Sequence, residues 1–508
     1  MNKTKALFAA AMLLGGFLLP ANAQQVDGRD FSVDGFAACT GKPGTNYYRA
    51  DGTTGGAGGK VVYAANFSQL QAYLQAKDPY IVVVDHDITT GIKCYVDGIN
   101  TGKLCDKQDG SQGVETTYGE RILVASNKTL VGVVNPETGK APLFSHITFV
   151  MQCVDNIIIR NCRFTMKGVP VLKSGENKVV AWRDGAQVEV GDPDCIGIQA
   201  DKTSAKVDWG GHIWVDHCEF FNGDQANKDR YDGLLDCKNN VQWMTFSYNH
   251  FHDHDKACLF GKGNSDIFDG CRTISYHHNF LENIQGSRLP LQRGGHMHYM
   301  NNYQKGCEDG WDVRTESVGY LDACYFENTK SPVRSDRGGS LNINTEEDYA
   351  PVFKGCNNLP QGYTNIDGAK ISNTYAVTST TWLPTETDAA YKVNSHDKTA
   401  DVPQLLEKYA GAGKIEIYKA YTDNIPVEDA SEFANAVKNY STAPTYDEKG
   451  NKLSGSTSAI ASAVASDSKS VEYYTLDGVR LSAPQKGVNI VVTRKTDGTA
   501  SRIKAVID

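Results

Sequence analysis

A weak internal repeat runs through the middle of the chain, and it constrains the fold more than any other feature. Aligned on an aromatic residue, the units read Asn161-Cys162-Arg163-Phe164, His217-Cys218-Glu219-Phe220, Tyr248-Asn249-His250-Phe251, His277-His278-Asn279-Phe280, Met300-Asn301-Asn302-Tyr303 and Ala323-Cys324-Tyr325-Phe326. The last three steps are 29, 23 and 23 residues. Each unit carries a short β-prone run, such as Ile157-Ile158-Ile159 or Thr245-Phe246-Ser247-Tyr248, followed by a turn. One such unit cannot bury its own apolar face, so units that recur bury it by stacking. The period is that of a parallel β-helix. The expected class is therefore all-β, with a parallel β-helix over roughly 120–330 in the numbering used here. Two residues before the aromatic, the series reads Cys162, Cys218, Asn249, His278, Asn301, Cys324. Equivalent positions stack in such a fold, which predicts a ladder of small or hydrogen-bonding side chains. Cys162, Cys218 and Cys324 are expected in it as buried small apolar groups. His217, His277 and His278 are expected as satisfied core or turn histidines. His252 and His254, near Lys256, are open to either a structural or a functional role.

The flanks of the repeat fit the same architecture. Ala65 to Leu74 has the pattern of an amphipathic helix, with Leu70, Tyr73 and Leu74 on one face. Such a helix could cap the open end of the solenoid, where a sheet edge would otherwise be exposed. Ile81-Val82-Val83-Val84 and Ile122-Leu123-Val124 read as strands of the first coil. The polar inserts Tyr95–Thr117 and Lys173–Val190 read as loops, and loops on a solenoid commonly build the binding face. With 49 glycines and 25 tyrosines, the composition leans to turn-rich β structure. The net charge of −9 gives no sign of a nucleic-acid binder, so positive charge for an anionic partner must be local or supplied by a metal.

Met1 to Ala23 reads as a secretory leader. Lys3 and Lys5 form its basic start, Ala6 to Leu19 its apolar core, and Ala21-Asn22-Ala23 a small-x-small cleavage site. The mature chain is expected to begin near Gln24 and to act outside the cytoplasm. No other apolar run reaches membrane length. Export permits disulfides, and Cys94 with Cys105 is one local pairing to consider; 13 cysteines leave at least one unpaired. Lys452 to Ser470, rich in Ser, Ala and Gly, reads as linker, and Tyr473-Tyr474-Thr475-Leu476-Asp477-Gly478-Val479-Arg480-Leu481 and Gly487 to Val492 as a small β segment. The expected division is leader 1–23, solenoid domain 24–442, linker 443–470 and β appendage 471–508. The appendage resembles the short C-terminal sorting modules that some Bacteroidetes add to exported enzymes, although a plain β appendage fits the residues equally.

The charged motifs carry the chemistry. Arg288-Leu289-Pro290-Leu291-Gln292-Arg293-Gly294-Gly295 places two arginines five apart around a proline. Two guanidiniums held there can grip a polyanion's carboxylates bidentately. His254-Asp255-Lys256 lies upstream, and Asp232-Gly233-Leu234-Leu235-Asp236 before it. A cationic and an acidic cluster on one scaffold point to an enzyme handling a carboxylated polymer with a divalent metal. Taken alone, the acids would more often be a solvated acidic turn.

These motifs, with Gly55-Gly56-Ala57-Gly58-Gly59, Ser126-Asn127-Lys128-Thr129-Leu130-Val131-Gly132, Ile213-Trp214-Val215-Asp216-His217 and Asn301-Asn302, resemble the family 1 pectate lyases over roughly 55–328. The resemblance implies a right-handed, single-stranded parallel β-helix and calcium-dependent β-elimination of polygalacturonate, giving 4,5-unsaturated oligogalacturonides. It implies calcium ligands at Asp194, Asp232 and Asp236, with Asp192 a less certain fourth. It implies substrate contact by Lys256 and Arg293, and Arg288 as the base. A free arginine is ordinarily protonated, so Lys256 is the physically easier base and stands as the alternative; either choice implies an alkaline optimum. A monomer acting on pectate polysaccharide is the expected assembly and partner. Two rivals remain at this point. A polygalacturonase-like hydrolase would need paired acids and an Arg-Ile-Lys on the solenoid, but Arg502-Ile503-Lys504 lies in the appendage. A non-catalytic pectin-binding β-helix would lose the basic trio, which is present.

Overall fold

In a computed structural model, the described residues are 25–415 and 468–507, apart from stretches 90–91, 97–103, 107–111, 168–178, 184–185, 191–193, 204–205, 224–230, 268–271, 475–479, 482–486 and 496–499 and a few single positions. The expected leader and most of the expected linker lie outside them, as do Asp192 and the side chains of Cys94 and Cys105.

Three long parallel sheets of ten, nine and eight strands build the body of the protein. The chain visits them in turn, so that strands adjacent within a sheet come from successive coils. This is the expected right-handed parallel β-helix. It extends beyond the expected 120–330, from the strand Lys60–Tyr63 to the strand Val352–Lys354. Its interior is one continuous apolar core, from Val62 and Leu70 at one end to Phe353 and Leu359 at the other. Phe144, Phe164, Phe220 and Phe251 stack along it, the last three at 4.9 Å between successive rings.

The helix starts two residues later than the pattern suggests, at Phe67, and runs to Gln75. Asn66 caps it by accepting from the Gln69 N–H at 3.0 Å. Leu70, Tyr73 and Leu74 face the core with Val82, Ile122 and Leu130, so the helix covers the first coil as expected.

The ladder before the nine-stranded sheet is present, but two of its rungs differ from the aromatic alignment. The Asn249 side chain accepts from Cys218 N–H at 3.0 Å, Asn279 from Asn249 N–H at 3.0 Å, Asn302 from Asn279 N–H at 2.9 Å, and Cys324 Sγ from Asn302 N–H at 3.3 Å. The rungs are thus Asn279 and Asn302, not His278 and Asn301. Those two sit one residue earlier, at the corner, with φ of 55° and 48°, beside Asn161, His217, Tyr248 and Ala323 in the same left-handed conformation. The cause is the anchor chosen. Phe280 and Tyr303 pair in register with His250 and point outward, where they stack at 4.7 and 4.9 Å; Leu281 and Gln304 hold the inward place of Phe251. Aromatic spacing does not distinguish two neighbouring positions on opposite faces of a strand. Cys162, Cys218 and Cys324 are completely buried, and none of the three is in a disulfide. Asn249→Ala is expected to cost about 1–3 kcal/mol in denaturant unfolding, because the Cys218 N–H is then buried without an acceptor.

His217 meets Asp216 at 2.7 Å through Nδ1 but leaves its buried Nε2 without a hydrogen-bond partner among the described residues. His277 meets Asp34 at 3.0 Å and His278 meets Asp397 at 2.9 Å, so these two are satisfied structural groups as expected. The last two contacts fasten residues from both ends of the solenoid segment over the outer face of the ten-stranded sheet. The two polar inserts are not plain loops. Strands Ile92–Val96, Leu104–Asp106 and Gln112–Tyr118 form a small antiparallel sheet, and Val179–Arg183 pairs with Ala186–Val190. The Asp184-Gly185 dipeptide between the last pair is a two-residue hairpin signature that the reading by composition passes over. Strands between Ser468 and Ile507 form a four-stranded antiparallel sheet, beginning three residues before the expected appendage.

Candidate active site

The site lies on the outer face of the eight-stranded sheet and at the corner leading into it. Six strands position it: β1 (Ile196–Gln199), β2 (Leu235–Lys238), β3 (His250–Lys256), β4 (Leu259–Phe260), β5 (Phe280–Ser287) and β6 (Leu291–Arg293). In β2, Leu235 and Cys237 point into the core, so Asp236 and Lys238 must point outward. In β1, Ile196 and Ile198 are likewise inward. Asp194 lies two residues before β1, and Asp232 three residues before β2.

These three acids converge. One carboxylate oxygen from each of Asp194, Asp232 and Asp236 lies within 4.8 Å of the others. Asp194 Oδ1 accepts from Gly233 N–H at 2.9 Å, and Asp236 Oδ1 from Leu259 N–H at 2.8 Å. Asp236 is fully buried, yet its Oδ2 accepts no hydrogen bond from the described residues. A buried carboxyl oxygen with no donor calls for either a proton or a cation. A Cβ at Gly233 would lie 2.0 Å from Asp236 Oδ1, so any larger residue there would displace the carboxylate. Hard carboxylate oxygens in this arrangement suit calcium.

Three cations face the acids. Arg288 Nη1 donates to Asp232 Oδ1 at 2.9 Å and lies 3.7 Å from Asp236 Oδ2. Lys256 Nζ lies 3.5 Å from Asp232 Oδ1. Lys238 Nζ lies 3.3 Å from Asp194 Oδ2 and 3.6 Å from Asp236 Oδ2. Arg288 occupies the corner between β5 and β6, with φ of 70°, followed by a cis Leu289–Pro290 bond. The segment therefore leaves strand geometry beside Pro290, and Arg288 turns to the acids while Arg293 resumes the strand. Arg293 lies on the same outward row as Lys238, one strand beyond Gly261, whose carbonyl accepts from its Nη1 at 2.8 Å. Lys256 ends β3 after an irregularity: the one residue between His254 and Lys256 opposes the two between Ile284 and Ser287. Gly286 makes that bulge feasible, since a Cβ there would lie 2.3 Å from the Asp255 carbonyl.

The electrostatics separate the acids. Burial, then the neighbouring Asp194, pushes the Asp236 carboxyl well above the usual carboxylate range. Burial also raises Asp194, against the pull of Lys238. Burial works the same way on Asp232, but Arg288 and Lys256 outweigh it and hold this carboxyl below its ordinary value. Lys238 is partly buried, but Asp194 and Asp236 outweigh that burial and hold it more firmly protonated than a free lysine. Burial pushes His254 down to about 4, so it is neutral near pH 7.

The structure thus brings together Asp194, Asp232, Asp236, Lys256 and Arg288, and places Arg293 on the same face. Asp192 lies outside the described residues. Lys238 was missed by motif reading. Its signal was available: Asp236-x-Lys238 within a strand puts both side chains on one face.

A pectate lyase family profile matches residues 37–415. The chain belongs to the pectate lyase family. It is accordingly an enzyme of the lyase class, which removes the hydrolase and non-catalytic alternatives. It is 30% identical over 392 residues to a pectate trisaccharide-lyase of Bacillus licheniformis, covering 76% of this chain and 88% of that one. It is 28% identical over 280 residues to pectate lyase plyB of Emericella nidulans, covering 54% and 66%. A solved thermostable pectate lyase shares the fold, with a TM-score of 0.50 at 22% identity, over 78% of this chain and 99% of that one. Among the described residues, no helix of this lyase is long and apolar enough to cross a membrane.

Proposed function

We propose that this lyase cleaves polygalacturonate by calcium-dependent β-elimination, leaving oligogalacturonides with a 4,5-unsaturated end. The observation that carries the reading is the convergence of three acids within 4.8 Å of one another, with Arg288 and Lys256 on Asp232. Asp194, Asp232 and Asp236 would hold calcium. Bound there, the ion would neutralise a uronate carboxylate and acidify the proton on carbon 5. Arg293 presents a planar fork that can grip a carboxylate bidentately. Lys256 adds fixed positive charge where the enolate-like charge develops. Arg288, at the corner beside both, takes the proton from carbon 5 as the neutral guanidine, after its own proton has passed to solvent. The electron pair then forms the carbon 4–carbon 5 double bond and expels the glycosidic oxygen from carbon 4, which takes a proton from water. Lys238, set between Asp194 and Asp236, offsets their mutual repulsion. Export by the Met1–Ala23 leader, action as a monomer and a separate C-terminal β appendage belong to the same proposal.

The deciding assay follows the ultraviolet absorbance of unsaturated uronates on polygalacturonate, with and without a chelator. Absorbance should rise with calcium and stop with the chelator; cleavage without new absorbance would sink the reading. Arg293→Lys is expected to raise KM about tenfold with little change in kcat, since hydrogen bonds to charged groups contribute about 1.5–3 kcal/mol each. An unchanged KM on polygalacturonate would remove Arg293 from the substrate site.

A further inference from the structure

His254 belongs to a short motif whose lysine has a role in the reading above, while the histidine itself has none. It is buried to 1% exposure, so it cannot touch a polymeric substrate. Its ring is nevertheless directed at the acid cluster. His254 Nε2 lies 2.8 Å from the main-chain oxygen of Asp232, and Nδ1 lies 3.4 Å from Asn222 Nδ2. Asn222, also buried, accepts from Met166 N–H through Oδ1 at 2.6 Å.

Two main-chain groups fix every proton in this chain of contacts. The Met166 N–H can only donate, so Asn222 must present its oxygen there and its NH₂ to His254. Nδ1 of His254 must then accept, and Nε2 must carry the hydrogen. The Asp232 carbonyl can only accept, which completes the relay without conflict. One end is anchored beside the strand Arg163–Thr165 of the nine-stranded sheet, and the other ends on the turn that carries Asp232.

The main chain after Asp232 is already held: the Gly233 carbonyl accepts from Cys195 N–H at 3.1 Å, and Leu234 N–H donates to the Ala257 carbonyl at 2.7 Å. His254 adds the hold on the turn at Asp232 itself. Asp236 lies within β2, where the sheet ladder sets its main chain, but Asp232 lies in the turn before it. Asp232 is also the acid that meets both Arg288 and Lys256. A small shift of its main chain would move a metal ligand and the partner of two catalytic cations together.

We propose that His254, held in its Nε2–H tautomer by Asn222, is a positioning residue that fixes the Asp232 turn for calcium. The proposal rests on the calcium reading of the three acids. Polar groups behind metal ligands typically change metal affinity about 10–100-fold when removed. His254→Leu removes the donor, whereas His254→Gln can return an N–H to a similar place.

The test is calorimetric titration of calcium into the full-length protein without substrate, with melting temperatures in chelator as the fold control. His254→Leu should bind calcium at least tenfold more weakly than the parent. His254→Gln should recover most of that loss, and saturating calcium should restore kcat in His254→Leu. Equal affinity in the parent and His254→Leu overturns the relay alone. Leu and Gln variants that are equally weak and equally destabilised also overturn it, because packing would then explain the loss. A parent that takes up no calcium overturns both the relay and the calcium reading.

Discussion

Arg288→Lys is expected to lower kcat by about 10²–10⁴-fold, the usual contribution of a positioned general base, while polymer binding changes little. Lysine keeps the positive charge, so the ion pair to Asp232 can re-form and the acid cluster stays neutralised. What it loses is the planar guanidine group at the left-handed corner. Single-turnover rates on polygalacturonate, with substrate binding measured separately, check this. The rival base is Lys256, whose Nζ lies 3.5 Å from the same Asp232 oxygen. The two can be told apart. If Arg288→Lys keeps near-normal turnover and Lys256→Ala is inactive, the proton goes to Lys256. If Lys256→Ala mainly raises KM while Arg288→Lys mainly lowers kcat, the assignment to Arg288 stands.

Much of this was legible in the chain, for identifiable physical reasons. The coil period survives in sequence because each coil repeats one burial pattern, so the solenoid and its three inward cysteines could be read directly. The exact rungs could not. Phe280 and Tyr303 are outward, and the inward Leu281 and Gln304 carry no aromatic signal. Asp194, Asp232 and Asp236 come from two successive coils, and residue type alone favoured a solvated acidic turn. It took family register to single them out, and stacking of β1 on β2 to bring them together. Lys238 and His254 were hidden for opposite reasons. Lys238 reads as an ordinary strand lysine until the orientation of Asp236 is known. His254 stays open between a structural and a functional role until the Asp232 carbonyl lies 2.8 Å from its ring.

Asp236→Asn is expected to weaken calcium binding at least about 100-fold, more than loss of a group behind the ligands would. The same change should raise the melting temperature measured in chelator. The Asp236 carboxyl is buried with Oδ2 unpaired by any hydrogen bond from the described residues, and burial and Asp194 raise its pKa well above the ordinary value. A raised carboxyl pKa means that the folded state binds more protons than the unfolded state between the two values. Its stabilising contribution is complete below the unfolded value, about 3.9, and is lost as pH rises through the folded one. Asparagine has no charge to bury, so the gap in melting temperature between variant and parent should widen as pH rises through that window. Neither neighbouring cation is stranded by the change: Lys238 keeps Asp194 at 3.3 Å, and Arg288 keeps Asp232 at 2.9 Å. With calcium present the order should reverse, because the parent alone gains the binding free energy of the ion. A variant less stable than the parent in chelator at neutral pH would show that Asp236 holds the fold together rather than being held at a cost for the metal.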